Sequence, residues 1–195
     1  MTSDRGNPPA TARHQPGAVP TSAAELSGEA DGRMVPERLR ETIVSQFGRS
    51  LHIRTLDTGS CAVCEQEIRL LAAPHYDLHR LGFFFTPAPR HADLLMVTGP
   101  AIRAFGIAAR KTYDAMPGPK IVIATGACAL GGVYPVDAFT HGSVDAILPV
   151  DVWIPGCPPS PLALLQGLLV AVNRLAAKTA ALSFIADDPA GEVAR

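Results

Sequence analysis

The chain of 195 residues lacks most features that mark membrane, secreted or nucleic-acid-binding proteins. Its longest apolar candidate, Leu162–Val172, is shorter than the ~18–20 residues that cross a bilayer. Residues 1–33 contain no apolar stretch of the secretory kind, which predicts a cytoplasmic protein. A net charge of −1 supplies no basic surface, so we expect no nucleic acid partner. Phosphate-binding and dinucleotide-binding glycine motifs are also absent, so we expect no NAD on this chain.

Cysteine is scarce as well, and its four occurrences are Cys61, Cys64, Cys128 and Cys157. In the cytoplasm thiols are kept reduced, so these residues are expected to be metal ligands or buried thiols rather than members of disulfides. At this point a zinc site, a redox-active dithiol and an iron–sulfur cluster are all open.

Short apolar runs alternate with helical stretches along the chain, a pattern typical of an α/β domain with a doubly wound parallel sheet. Runs that are apolar throughout are what central parallel strands look like. The predicted strands are Leu51–Leu56, Asp93–Thr98, Lys120–Thr125 and Ala146–Val150. The predicted helices are Glu65–Ala73, Ala101–Met116 and Pro161–Ala177.

The composition divides the chain into four segments. Residues 1–34 are rich in Pro, Gly and Ala and are expected to be a disordered tail. Residues 35–48 form an amphipathic helix that docks on the domain or on a partner near a membrane arm. Residues 49–178 make up the folded, cysteine-bearing domain, and residues 179–195 are a C-terminal tail.

The cysteines occupy three loops, each shortly after a predicted strand and beside Gly or Pro. Because the carboxyl ends of parallel strands gather at one edge of a sheet, all four thiols are expected to converge there. A redox dithiol would use only Cys61 and Cys64. A zinc ribbon usually has two close pairs, whereas Cys128 and Cys157 are far apart, although four thiolates suit zinc as well as iron. The cluster interpretation is favoured because it uses every cysteine.

Three ordered motifs carry a resemblance to a known family. They are Gly59–Ile68 (GSCAVCEQEI), Pro89–Pro100 (PRHADLLMVTGP) and Ile154–Pro161 (IPGCPPSP). The chain resembles the small cluster-bearing subunit shared by respiratory complex I, the NADH-quinone oxidoreductase, and by membrane-bound nickel–iron hydrogenases. The resemblance implies a flavodoxin-like fold with cluster-binding loops at the strand carboxyl ends. It also implies one 4Fe-4S cluster on the four cysteines as the cofactor.

Two details are closer to the hydrogenase branch of this family, which includes formate hydrogenlyase and energy-converting hydrogenases. Ala62 and Val63 separate the first two cysteines, which are adjacent in the complex I branch. His91 stands where complex I usually has Gln. We therefore expect the chain to resemble a hydrogenase small subunit more than its complex I counterpart.

The resemblance implies an electron-transfer subunit of an oxidoreductase complex that is not catalytic alone. Its expected partners are a large catalytic subunit, a ferredoxin-like cluster subunit and membrane-arm subunits. Its expected place is the cytoplasmic face of the inner membrane. One alternative is the B-type subunit of NADH-quinone oxidoreductase, which passes electrons to quinone in complex I. Another is a zinc-stabilised binding module without redox turnover.

Four further residues are candidates for the surroundings of the cluster or for its partner contact. Glu67 matches the acidic position that follows the cysteine pair in the family, where it would line the wall between cluster and partner or a proton route. Arg90, His91 and Asp93 are expected to form a charged contact with the large subunit, or a cap at a strand start. For Glu65 we expect only a carboxylate stabilised at a helix N-terminus.

Overall fold

The computed structural model describes residues 34–186, with side chains from residue 35 to residue 180. The predicted tail at residues 1–34 therefore lies outside the described residues, apart from Met34. The helices are α1 (Met34–Phe47), α2 (Val63–Leu70), α3 (Arg103–Asp114) and α4 (Pro161–Ala186). The strands are β1 (Leu51–Asp57), β2 (Phe83–Phe85), β3 (Leu94–Thr98), β4 (Ile121–Thr125) and β5 (Val152–Ile154).

All five strands are parallel and lie in the order β2-β1-β3-β4-β5. This 2-1-3-4-5 order is that of flavodoxin-like folds, so the predicted fold class is confirmed. Every residue of β3 and β4 is buried, as expected for central strands that are covered on both faces.

The two faces of the sheet pack differently. One carries a core of β3 and β4 side chains, such as Leu95 and Val122, together with Ala109 of α3 and residues of the loop before β5. On the other face α4 contacts β4, β5, α1 and α2. The hydroxyl of Ser160 accepts a hydrogen bond from the amide of Ala163 (3.2 Å), which caps α4 where the β5 loop ends.

The helix α1 packs its apolar stripe inside this chain. Val35, Leu39 and Ile43 are all buried, and α1 contacts α4. The four-residue spacing that predicted the helix therefore reflects a contact within the protein. The stripe thus docks on the domain, which is one of the two alternatives expected for residues 35–48.

The helix α4 is longer than its sequence pattern indicated. It continues to Ala186, so it extends past the expected boundary at residue 178. Among the described residues it is the one helix whose length and composition would suffice to cross a membrane, over Pro161–Ala180 with a mean hydropathy of 1.2. The expectation that no segment reaches that length is thus corrected. A third of this stretch is buried within the protein, as in a helix that packs on a sheet.

Two strands differ from the predictions. The predicted strand Ala146–Val150 is wrong, because Val144–Ala146 is a 3-10 turn and the strand follows at Val152–Ile154. Ile147 and Leu148 are apolar because they pack against the core from a loop. The strand β2 was not predicted, since it is only three residues long and follows a series of turns.

We expect Leu39→Ala to lower the free energy of unfolding by about 2–5 kcal/mol, because Leu39 is fully buried and the change leaves a cavity between α1 and the domain. Val44→Ala on the same helix is the control, since Val44 is 65% exposed; its effect should stay within about 0.5 kcal/mol. Urea denaturation of both variants measures the difference, and equal losses would contradict the packing described for α1.

Candidate metal centre

The carboxyl ends of four strands lie in one row of the sheet. Asp57 of β1 is in register with Thr98 of β3, Thr98 with Thr125 of β4, and Thr125 with Ile154 of β5. The three loops that carry the cysteines follow β1, β4 and β5. The loops therefore leave the sheet side by side, as the sequence predicted.

The approach of the β4 loop to α2 requires a glycine. Gly126 has φ +92°, and a Cβ built there would lie 2.6 Å from the sulfur of Cys64. An L side chain at this position would meet both backbone strain and the thiol. Gly126 thus lets Cys64 lie directly against the backbone that leads to Cys128.

The β4 and β5 loops are joined by backbone hydrogen bonds. The amide of Gly126 donates to the carbonyl of Ile154 (2.9 Å), and the amide of Ala127 donates to the carbonyl of Gly156 (2.8 Å). These bonds continue the pairing of the strands beyond the sheet. They hold the backbone before Cys128 beside the backbone before Cys157.

The β5 loop turns back on itself at Gly156, whose φ is +138°. A Cβ on Gly156 would lie 2.4 Å from the Cα of Pro159, so only glycine fits this turn. The tight turn leaves Cys157 exposed between Gly156 and the prolines that follow it.

The β1 loop is shaped by side chains. Asp57 Oδ1 accepts hydrogen bonds from the amides of Gly59 (2.8 Å) and Ser60 (2.7 Å). Ser60 Oγ in turn accepts from the amide of Ala62 (3.0 Å), which has a left-handed conformation with φ +67°. For a residue with a Cβ this conformation costs roughly 1–2 kcal/mol. The strained turn separates Cys61, which is exposed, from Cys64, which is buried in the first turn of α2.

Burial and the charges of neighbouring groups raise the pKa of two of the four cysteines. All four cysteines are free thiols. Burial raises the pKa of Cys64 to about 11, with further contributions from Glu65, Cys61, Cys128 and Cys157. Burial also raises the pKa of Cys128, assisted by the charges of Cys157 and Cys61. The charges of other thiols thus add to the burial that opposes the ionisation of Cys64 and Cys128, and a bound cation would favour their thiolate forms.

The described residues include no group of three or more His, Cys, Asp or Glu side chains close enough to hold a metal ion as they stand. Four thiolates are nevertheless the ligand set of a 4Fe-4S cluster, in which each thiolate binds a different iron atom. The residue types at this edge fit that group.

A carboxylate behind Cys64 has a role that was not predicted from the sequence. Glu65 Oε1 accepts a hydrogen bond from Ser60 Oγ (2.7 Å) and a short one from Thr98 Oγ1. Glu65 thus joins α2 to the β1 loop and to the end of β3. The sequence predicted only a carboxylate at the N-terminus of a helix. The hydrogen bond to Thr98 could not be predicted, because Thr98 is distant from Glu65 in sequence.

The structure does not bring Asp93 together with the cysteines. Asp93 immediately precedes β3, whereas the cysteine loops follow the strands, so about 16 Å of strand separates the two ends. The carboxylate of Asp93 accepts hydrogen bonds from Arg49 (2.6 and 3.1 Å) and from the amide of His52 (2.9 Å). These bonds fasten the start of β1 to the start of β3.

Arg90 and His91 lie in the 3-10 turn just before Asp93, and both are exposed. They belong to the same end of the sheet as Asp93. A contact of these residues with a large subunit remains a prediction. Glu67 is half-buried on α2, three residues after Cys64, and is the one member of the four candidates on the cysteine-bearing helix.

Comparison with known proteins gives consistent results. The family described as "NADH ubiquinone oxidoreductase, 20 Kd subunit" matches residues 61–171. A probable membrane-bound hydrogenase subunit of Pyrococcus furiosus is 45% identical over 67% of this chain and 78% of its own length. Formate hydrogenlyase subunit 7 of Escherichia coli is 39% identical over 77% of this chain and 62% of its own length.

Two further relatives extend the comparison. A B-type subunit of NADH-quinone oxidoreductase from Rhizobium etli is 42% identical over 61% of this chain and 71% of its own length. Among solved structures, a chain of the membrane-bound sulfane sulfur reductase, an archaeal respiratory membrane complex, is 30% identical with a TM-score of 0.59. That match covers 73% of this chain and 78% of the other.

In the metal-free protein we expect Cys64 to be alkylated much more slowly than the exposed Cys61. With a pKa of about 11, roughly one Cys64 thiol in a thousand is ionised near pH 8, and only the thiolate reacts. The rate at Cys64 should therefore keep rising as the pH approaches 11. Mass spectrometry after iodoacetamide treatment measures both sites, with urea-unfolded protein as the control. Equal rates in the folded protein would contradict the burial of Cys64.

Proposed function

Because the chain belongs to the family of the NADH ubiquinone oxidoreductase 20 Kd subunit, we propose that it binds one 4Fe-4S cluster and relays electrons through it. The family predicted from the three sequence motifs is confirmed by the family match and by its relatives. The chain is part of an oxidoreductase complex, as these relatives are. The proposed cluster ligands are Cys61, Cys64, Cys128 and Cys157.

The observation that carries the proposal is the set of four free thiols at one edge of the sheet. They come from three separate loops, yet the charges of the other three all act on Cys64. Such an arrangement disfavours four thiolates unless positive charge lies among them. When bound, the cluster supplies that charge and takes up or releases one electron at a time.

The chain's own residues determine how the cluster would be held. The glycines at positions 126 and 156 let the backbone come close to it, and backbone amides near cluster sulfurs help to set the potential. Cys64 lies on the buried side of the site, whereas Cys61 and Cys157 are exposed. We propose that electrons enter or leave on the exposed side, where a partner subunit would cover the cluster.

Exposed apolar side chains near the site support a partner on this side. In the loop that follows Cys128, Val133, Tyr134, Val136 and Phe139 are 49–77% exposed. Contiguous exposed apolar residues commonly mark protein–protein contacts. We propose that this loop contacts the large catalytic subunit, with a ferredoxin-like cluster subunit and membrane-arm subunits elsewhere in the complex.

We propose a hydrogenase-type complex at the cytoplasmic face of the membrane. The two residues between Cys61 and Cys64, together with His91, favour this branch. Membrane-bound hydrogenase and formate hydrogenlyase subunits among the relatives also support it. The second candidate is a complex I-type subunit that passes electrons to quinone, which the Rhizobium relative favours. Copurification distinguishes them, because a nickel-containing large subunit supports the first and a quinone-reducing complex without nickel supports the second.

The main test is the metal content of the full chain purified without oxygen. We expect about four irons and four sulfides per chain, and an EPR signal on reduction. Each single Cys→Ser change should abolish the intact 4Fe-4S signal, because each cysteine holds one iron. Stoichiometric zinc without iron would overturn the proposal and support a zinc-stabilised binding module. A control change of Ser45→Ala on α1 should leave the iron content unchanged.

We also expect Gly126→Ala to lower both iron content and stability. The new methyl would lie 2.6 Å from Cys64 Sγ at a φ of +92°, a strain of at least about 1 kcal/mol. Gly106→Ala is the matched control, since a Cβ there meets nothing nearer than 3.9 Å in the interior of α3. The control should keep its iron and gain about 0.5–1 kcal/mol. Equal iron content in the two variants would argue against the close approach of Gly126 and Cys64.

A further inference from the structure

The carboxylate of Glu65 belongs to the residue that directly follows the proposed cluster ligand Cys64, and it forms no ion pair among the described residues. Its Oε1 is held by the hydroxyls of Ser60 and Thr98, and both of these donors are neutral. Its Oε2 is buried, and it has no hydrogen-bond partner among the described residues. The ion pairs within the described part of the chain do not include Glu65 either.

The position of this negative charge is fixed by the fold. Glu65 follows Cys64 directly in the first turn of α2, and its charge acts on the Cys64 thiol. Thr98 is the last residue of β3 and is 2% exposed. Thr98 therefore fixes the carboxylate against the sheet, away from bulk water. The charge of a carboxylate held in this position is screened by solvent and salt less than the charge of a surface carboxylate.

We propose that Glu65 lowers the reduction potential of the cluster through its uncompensated negative charge, and that the Ser60 and Thr98 hydroxyls limit this effect by their hydrogen bonds. An electron added to the cluster is repelled by a nearby carboxylate, so the reduced form is disfavoured. Hydroxyl donors that point at the carboxylate withdraw part of its charge. The proposal rests on the proposed function, since it requires the cluster.

Glu65 is thus a tuning residue, which acts on the cluster through charge and does not bind iron. A purely structural role would make a different prediction. If Glu65 served only to fasten the β1 loop, a side chain of the same shape that accepts the same two hydrogen bonds would leave the potential unchanged. Gln is such a side chain, because its amide oxygen can replace Oε1.

The test is an EPR-monitored redox titration of the full chain, prepared without oxygen with its cluster. We expect Glu65→Gln to keep the iron content of the wild type and to raise the midpoint potential. Thr98→Val should lower the midpoint potential, because it preserves the shape of the side chain and removes a donor from the carboxylate. The two variants therefore shift the potential in opposite directions.

The control is Asp114→Asn, which removes one negative charge from the chain at a position far from the cysteine-bearing loops. Asp114 is exposed at the C-terminal end of α3, and α3 runs back from the carboxyl edge of the sheet to the start of β4. The same loss of one negative charge at this distant position should leave the potential unchanged. A shift equal to that of Glu65→Gln would overturn the specific role of Glu65.

The outcomes separate this inference from the proposed function. A wild-type chain that holds no iron would overturn the proposed function. A wild-type chain with a cluster, and a Glu65→Gln variant with equal iron and an unshifted potential, would overturn only the role of Glu65. If Glu65→Gln fails to retain the cluster, the Thr98→Val variant is the remaining test. A midpoint potential of Thr98→Val that is not lower than that of the wild type would overturn the inference.

Discussion

The register of four neighbouring strands is the constraint on which the candidate site depends. Asp57, Thr98, Thr125 and Ile154 share one row across the sheet, and every cysteine follows one of them within seven residues. In loops this short, the positions of the cysteine side chains are restricted by the positions of the strand ends. The ends of these loops are fixed by a sheet whose central strands are buried, so the packing that stabilises the domain also determines where the cysteine-bearing loops leave the sheet.

The cysteine-bearing loops carry a cost, since burial and neighbouring thiols disfavour the ionisation of Cys64 and Cys128 and several backbones are constrained. Ala62 has a left-handed conformation, and the turns at positions 126 and 156 admit only glycine. Hydrogen bonds that the side chains of Asp57 and Ser60 accept from backbone amides hold the first loop in place. Strain at a functional site is retained when the surroundings over-determine it. The organisation of these loops, together with the free thiols, is consistent with a site built to receive positive charge.

Much of this arrangement could be predicted from the sequence, because the signals are local. The runs at β3 and β4 are almost continuously apolar, β1 alternates like a half-buried strand, and each cysteine lies close behind a strand or beside Gly and Pro. The position of β5 was misjudged because Ile147 and Leu148 are apolar for another reason, namely loop packing. The link from Glu65 to Thr98 depends on the pairing of β1 with β3, which a single sequence does not specify. Asp93 belongs to a motif that predicts a charged partner contact, and its position just before β3 places it at the opposite end of the strand from the cysteine-bearing loops.

The contact between α1 and α4 has a consequence for the order of events during synthesis. These are the first and last helices of the described chain, so their contact forms only after α4 has been synthesised. Cys157 also precedes α4 by only a few residues. A nascent chain on the ribosome therefore lacks this helix contact and a complete set of cysteines for most of its translation. A site that uses all four cysteines is accordingly incomplete until Cys157 has been synthesised.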